Sequence, residues 1–427
     1  MKNFFLRIAL PSTFFTLTTV LTPLTAVAQQ AQPESSKVTA GFYGFVRGDL
    51  FFDSRLNASS FERLFLLYPL DRRPDTDGAD LNKVPGSSFF SFVSRAGVDV
   101  GGLRLFNAGL TAKIEADFAG FGSQFGSNRS LLRIRHAYIK MDWPRSALSI
   151  GQTWHPFFGP VQPDVLSLSV GAPFNPFSRT PQPRYDYRAG RFTLSGAAVY
   201  QFLFSSTGPE GKSHTYQSNA IMPELYAGAT YSGGGLTAGA GLNYLTIKPR
   251  TQSQWNGNLY KVNERLGSLS LTAYAKYSAG LLSVGAKTVY GKNLGELTML
   301  GGYGISAIDD HNGRQSYTNL TQSSNWLNIT YGKKYMGSIF AGYTKNLGSD
   351  KALVPGSALY VDGAGVDYLY RLAGSFSFNV PHFKLGMEYE MTTAGYGDGA
   401  INYATGRYGS THAVTNHRIA GVIMYMF

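Results

Sequence analysis

Hydrophobic and polar residues alternate with a period of two through most of this chain. In residues 41–53, Val46, Gly48, Leu50 and Phe52 fall on one side of an extended segment, and Arg47, Asp49 and Asp53 on the other. Residues 108–118 repeat the pattern, with Ala108, Leu110, Ala112, Ile114, Ala116 and Phe118 against Lys113, Glu115 and Asp117. Successive side chains of a strand point to opposite faces, so each segment predicts a strand with one apolar and one charged face. A soluble sandwich would bury the apolar face against a second sheet. A membrane barrel turns it to lipid and leaves the charges to a wet interior.

The connections decide between these two. Long polar segments (54–88, 119–130, 154–183, 203–222, 248–266, 291–325, 345–365 and 393–416) alternate with short ones (101–102, 142–146, 189–190, 232–235, 278–280, 332–334 and 379–381). Long loops on one side and tight turns on the other are the pattern of a transmembrane antiparallel up-and-down β-barrel, here all-β with about sixteen strands of roughly ten residues each. The loops would be extracellular and the turns periplasmic. Strand-end tyrosines (Tyr231, Tyr244, Tyr277, Tyr290, Tyr343 and Tyr389) suit interfacial girdles, where rings bury and hydroxyls meet headgroups. The final segment, with Ile419, Gly421, Ile423, Tyr425 and Phe427 in alternation, has the form read by the barrel-assembly machinery of the outer membrane.

Composition agrees. Charged residues make up only 15% of the 427 residues while Tyr and Phe number 27 and 29, which suits half-lipid-facing strands and not a disordered chain. The formal net charge is +12, but Lys and Arg are dispersed without a dense block, so nucleic-acid binding is not expected. There is no cysteine, hence no disulfide or thiolate site. At the N-terminus, Lys2 and Arg7 precede an apolar stretch ending in Ala26-Val27-Ala28, the form of a secretory signal peptide over residues 1–28. A short periplasmic lead, 29–40, and a barrel over 41–427 would follow.

A water-filled barrel works through its bore, its inward charges and any loop folded into the lumen. Strand parity nominates Arg47, Asp49, Arg95, Asp99, Lys113, Glu115, Asp117, Arg133, Arg135, Arg184, Asp186 and Arg188 as pore-lining. Glu115 and Asp117 against Arg133 and Arg135 leave two readings open: opposed across the bore they make a transverse field, adjacent they neutralise each other in the wall. The excess of Arg favours anionic solutes. The segment 154–183 carries Trp154, His155, Phe157, Phe158, Phe174 and Phe177 among seven prolines, a stiffened loop too aromatic for open water, which suits a loop folded inward to constrict the pore; an external cap or a protomer contact is the other reading. No G-x-S-x-G or H-E-x-x-H pattern occurs, and no catalytic, cofactor or metal residues are nominated. Asp75, Asp77 and Asp80 have the flavour of a calcium loop without its distal Glu.

The runs Lys113-Ile114-Glu115-Ala116-Asp117-Phe118, Arg133-Ile134-Arg135-His136-Ala137-Tyr138 and Gly151-Gln152-Thr153-Trp154 resemble, in order, those of trimeric porins of the DcaP-like type. The aromatic- and Gly-rich texture also resembles porin-like proteins of the Bacteroidetes. The first resemblance implies a sixteen-stranded barrel, a homotrimer, passage of small and often negatively charged solutes, and Arg133 with Arg135 as a pore-lining pair. Residues 29–37 are too short for the coiled-coil extension such chains can carry. The expectation is thus a Gram-negative outer-membrane porin for passive diffusion of small hydrophilic solutes, touching lipid and lipopolysaccharide, without cofactor or catalysis. A substrate-selective channel, an outer-membrane enzyme and an adhesin barrel are the alternatives.

Overall fold

The computed structural model describes residues 37–120 and 130–427. The expected signal peptide, residues 29–36 of the lead and the centre of the 119–130 loop lie outside the described residues. One antiparallel sheet closes on itself as a barrel of sixteen wall strands. These are β1 (Thr39–Asp53), β2 (in two segments, Gly86–Phe90 and Arg95–Leu105), β3 (Ala108–Gly120), β4 (Leu131–Asp142), β5 (Ser146–Trp154), β6 (Arg179–Ala189), β7 (Phe192–Val199) and β8 (Glu224–Gly233). The second half comprises β9 (Leu236–Ile247), β10 (Leu266–Ala279), β11 (Leu282–Lys292), β12 (Gln315–Gly332), β13 (Tyr335–Ser349), β14 (Val366–Val380), β15 (Phe383–Gly397) and β16 (Thr411–Met426). The first strand thus starts two residues ahead of Gly41.

Closure is made by β1 and β16, in register from Phe45 opposite Met426 to Asp53 opposite Arg418. Gly44 and Phe427 extend this seam, each amide donating to the other's carbonyl at 3.0 Å. A Cβ at Gly44 would stand 2.7 Å from the Phe427 ring, so the missing side chain is what lets the terminal aromatic lie against the wall.

Two sequence expectations about backbone need correction. Gly101-Gly102 is not the first tight turn. The register slips there, from Val100 opposite Ala112 to Leu103 opposite Leu110, so the glycines form a bulge. Gly102 has φ +92° and any Cβ would meet the Lys37 carbonyl at 2.2 Å. The turn is Phe106-Asn107, both with positive φ, the geometry that matches strand twist in a two-residue hairpin. Second, the long segment begins after Trp154 and ends before Arg179, because Pro181 and Pro183 belong to β6. They are tolerated because they face β7, whose ladder with β6 stops at Ala197 opposite Arg184.

The two faces separate as the alternation requires. On β1, Val46, Leu50 and Phe52 are exposed on the outside; on β3, Ile114 and Phe118 are exposed while Glu115 and Asp117 are buried inside. The outer belt continues through Ile139, Ile150, Leu194, Leu242, Leu271, Leu372 and Ile423. An outward aliphatic band around the whole circumference needs hydrocarbon as its solvent. Tyr277, Tyr331 and Tyr335 stand exposed near the short turns, and Tyr244, Tyr290 and Tyr343 nearer the loops, giving two aromatic rows.

Leu372, 51% exposed on the outer face of β14, lies in this band. Leu372→Arg is expected to cost the membrane-folded barrel about 2–4 kcal/mol. Denaturant titration of the protein refolded into phospholipid vesicles measures it, and an unchanged midpoint would remove Leu372 from the hydrocarbon.

Candidate functional site

The inner faces of β1 to β4 carry a continuous wall of arginines paired with carboxylates. Arg47 chelates Asp49 through Nε at 2.9 Å and Nη2 at 2.6 Å. Arg133 holds Asp117 with two bonds, at 2.9 and 2.7 Å, and Arg135 reaches Glu115 at 2.8 Å and Asp117 at 3.1 Å. Arg95 approaches Glu115 at 3.3 Å. Of the two sequence readings, the adjacent one holds: the acids and arginines neutralise within neighbouring strands and do not face each other across the bore. Fork-to-carboxylate pairing of this kind fixes geometry as well as charge. Toward the turns, Lys113 pairs with Asp99 at 3.1 Å, Arg184 with Asp186 at 2.9 Å, and Arg188 with Asp142.

A bulge in β4 alters the parity of this wall. Glu115 pairs with His136 and Ala116 with Ile134, leaving Arg135 as the extra residue. Arg135 and His136 therefore both point inward and both are buried, His136 Nδ1 lying 3.1 Å from the Thr153 hydroxyl. Strict alternation could not place His136 inside. It also missed Arg179 at the start of β6, which is fully buried over the rings of Trp154 (4.8 Å), Phe177 (5.4 Å) and Phe204 (5.7 Å), with Nε and Nη1 unpartnered.

Residues 155–178 lie inside the barrel. His155, Phe157, Phe158, Phe174 and Phe177 are buried, and Trp154 stacks on Phe158 at 3.8 Å and meets Phe177 edge-on at 5.1 Å. The backbone of this segment is held by wall side chains from the far side. Lys287 on β11 donates to the carbonyls of Phe158 (2.6 Å) and Phe157 (3.4 Å) and to Asn175 Oδ1 (3.0 Å). Arg371 on β14 donates to Ala172 O at 2.9 Å, and Arg47 to Leu166 O at 2.8 Å. Glu388 on β15 accepts from the amides of Leu166 (2.7 Å) and Ser167 (3.0 Å). Buried loop backbone must find partners, and these four charged side chains supply them. Of the four only Arg47 was nominated from sequence, although parity signals the others: Glu388 alternates with Met387 and Tyr389, and Arg371 with Tyr370 and Leu372.

A second inward element joins the first. The loop after β1 folds as a hairpin (Asn57–Ser60 with Phe65–Pro69) whose Phe65 meets Phe177 at 4.9 Å. Arg418 binds its Arg63 and Leu64 carbonyls while paired to Asp53, and Arg371 binds Leu67 O at 2.7 Å. Farther along the same loop the acidic turn is self-satisfied. Asp75 Oδ1 accepts from the amides of Asp77 and Ala79, and Asp80 from those of Arg73 and Asn82 and from Arg55. These carboxylates cap a turn, and no metal-holding cluster occurs among the described residues. His155 Nε2 lies 3.3 Å from Glu224. In the loop after β11, Glu296 is fully buried with Oε2 unpartnered. Burial, reinforced by the nearby Glu224 and Asp362, holds its carboxyl well above the ordinary value.

No protein-family model matches the sequence, and no curated protein matches it. Solved structures do. The outer membrane channel DcaP of Acinetobacter baumannii superposes with a TM-score of 0.63 at 19% identity, covering 91% of this chain and 97% of that one. OmpT, an outer membrane protein of Vibrio cholerae, gives 0.53 at 13% identity over 91% and 98%. Its trimer form gives 0.52 at 15% identity over 91% and 99%. At such identities the likeness is one of fold: this chain has the β-barrel fold of these outer-membrane proteins.

Two outcomes are expected. Lys287→Met leaves buried carbonyls of Phe157 and Phe158 unbonded, at about 1–3 kcal/mol each; hydrogen exchange over residues 155–178 should accelerate at least about tenfold while the strands stay protected. Because the folded state keeps the Glu296 proton more tightly than the unfolded chain, its contribution to stability is fully present below the ordinary value of 4.5 and is lost as pH rises through the higher folded-state value. Glu296→Gln should flatten that fall, read as the heating midpoint of gel-mobility loss between pH 5 and 8.

Proposed function

We propose that this barrel is a passive outer-membrane porin that admits small hydrophilic solutes and prefers anions. The observation that carries the reading is the pairing of a basic inner wall with an inward loop. Arg47, Arg95, Arg133, Arg135 and Arg179 outnumber Asp49, Glu115 and Asp117, and Arg179 has no carboxylate paired with it among the described residues, so this stretch of wall carries a local excess of positive charge beside residues 155–178. A positive, low-dielectric constriction concentrates anions and repels cations. Trp154, His155, Phe157, Phe158, Phe174 and Phe177 then act as the constriction, and Arg133 and Arg135 as pore-lining residues, with Asp99, Lys113, Arg184, Asp186 and Arg188 lining the turn-side vestibule. The apolar clusters that bury Phe157 in one and Phe158 and Phe177 in another also favour a second reading, a substrate-selective channel in which the pinned loop admits only solutes that fit beneath it.

The setting follows from the same proposal. The aliphatic belt meets outer-membrane lipid and lipopolysaccharide in a Gram-negative cell, Phe427 is presented to the barrel-assembly machinery, and the protein works as a homotrimer, a reading supported by the trimer form of the OmpT structure.

Planar-bilayer recording tests it. The wild type should conduct in triplet steps, with a reversal potential in a KCl gradient on the anion-selective side. Arg179→Gln should move that potential toward zero. Removing residues 156–177 should raise single-channel conductance severalfold. Unchanged conductance would exclude the constriction, and a cation-selective potential would exclude the anion preference.

A further inference from the structure

Beside the arginine wall, a half-open cavity of about 390 Å³ lies between the start of the inward loop and the inner faces of β5 to β8 and β10. Volumes in the range of roughly 300–1,000 Å³ are those of small-molecule sites. Its chemistry differs from that of the basic wall. Arg184 in its lining is joined to Asp186 at 2.9 Å, so this pair contributes no net charge. The rest of its polar lining is hydroxyl, apart from His155, whose Nε2 lies 3.3 Å from Glu224. Ser195 donates to Asp186 and accepts from Arg184 at 3.3 Å, and Thr230 lies 2.6 Å from the Tyr274 hydroxyl. The Thr193 and Tyr226 hydroxyls line the cavity with no protein partner among the described residues. Trp154, Pro156 and Pro160 complete it with apolar faces.

The tyrosines are positioned by the wall itself. A Cβ at Gly239 would lie 2.6 Å from the Tyr274 hydroxyl, and one at Gly241 2.6 Å from the Tyr226 ring, so both rings lie flat along strands whose glycines make room for them. Gly159, with φ +63°, brings the loop over Tyr274. The sequence thus builds a neutral slot, apolar on one side and hydroxyl-bearing on the other, under a loop held from across the bore.

We infer that this slot is a binding site for one neutral, hydroxyl-rich ring, of the size and chemistry of a hexose. Hydroxyls both donate and accept, so free Thr193 and Tyr226 with the Ser195 and Thr230 pairs match a ring bearing hydroxyls all round its edge. The C–H faces of such a ring suit the proline and aromatic surfaces. An anion would find no unpaired cation here, because Arg184 is already bound by Asp186 and Ser195. The site deepens the channel reading, placing a neutral-solute station beside an anion-attracting wall.

Binding is testable without conduction. Trp154 lines the cavity, so its fluorescence in the detergent-folded barrel should change saturably with D-glucose, and sodium benzoate at equal ionic strength should have no such effect. The double variant Thr193→Val with Thr230→Val should weaken the glucose response at least tenfold while keeping the heat-modifiable gel mobility of a folded barrel. Asp186→Asn, which frees Arg184, should gain a saturable benzoate response. The absence of a saturable glucose effect in the folded wild type would overturn the inference. So would an equal effect in the double variant, or a benzoate response as strong as that to glucose. A barrel that binds glucose and does not conduct would contradict the porin reading and leave this site standing.

Discussion

The rest of the structure depends on the pairing of the first and last strands. In hydrocarbon every peptide N–H and C=O must find a partner within the protein, and a sheet does so only when it has no edge. The β1–β16 seam, carried to its end by the mutual bonds of Gly44 and Phe427, supplies the final row of partners. Once the ring is closed, the parity of every strand is fixed with respect to one inside and one outside. The aliphatic belt and the arginine wall are then two consequences of one register.

The interior shows what that closure permits. Loop backbone inside a barrel is as demanding as strand backbone in lipid, and here it is satisfied by charged side chains instead of a ladder. Lys287, Arg371, Arg418, Arg47 and Glu388 each spend their bonds on carbonyls or amides of the inward segments. Arg47, Arg371 and Arg418 are also paired with Asp49, Glu390 and Asp53, so removing one strands both a buried carboxylate and a buried backbone group. That two-way dependence explains how an aromatic loop stays within the lumen when its own residues form no ladder there. It also separates two interior environments, an arginine–carboxylate wall on β1 to β4 and a hydroxyl-lined slot on β5 to β8 and β10.

The alternation in residues 41–53 and 108–118, the unequal connections and the aromatic strand ends made the barrel, its strand number and its faces legible, because a period of two leaves little freedom once one face must meet lipid. The details that escaped are those in which parity breaks or contacts run between distant strands. The β4 bulge that turns His136 inward and the Gly101-Gly102 bulge are single-residue register events with no periodic signature. Whether Glu115 and Asp117 meet Arg133 and Arg135 side by side or across the bore is a matter of strand adjacency and bulge position. Lys287 and Glu388 acquire meaning only with residues 155–178 in place against them, a pairing across more than a hundred residues of chain.

The central claim, that one face of each strand meets lipid and the other meets enclosed water, is measured most directly by a cysteine-accessibility scan along β3. The natural chain has no cysteine, so single substitutions from Ala112→Cys to Phe118→Cys give an unmixed signal. In vesicle-folded protein, a charged water-soluble thiol reagent is expected to label positions 113, 115 and 117, and a membrane-soluble quencher to reach a probe at 112, 114, 116 and 118. Uniform labelling along the strand, or the inverse alternation, would contradict the account.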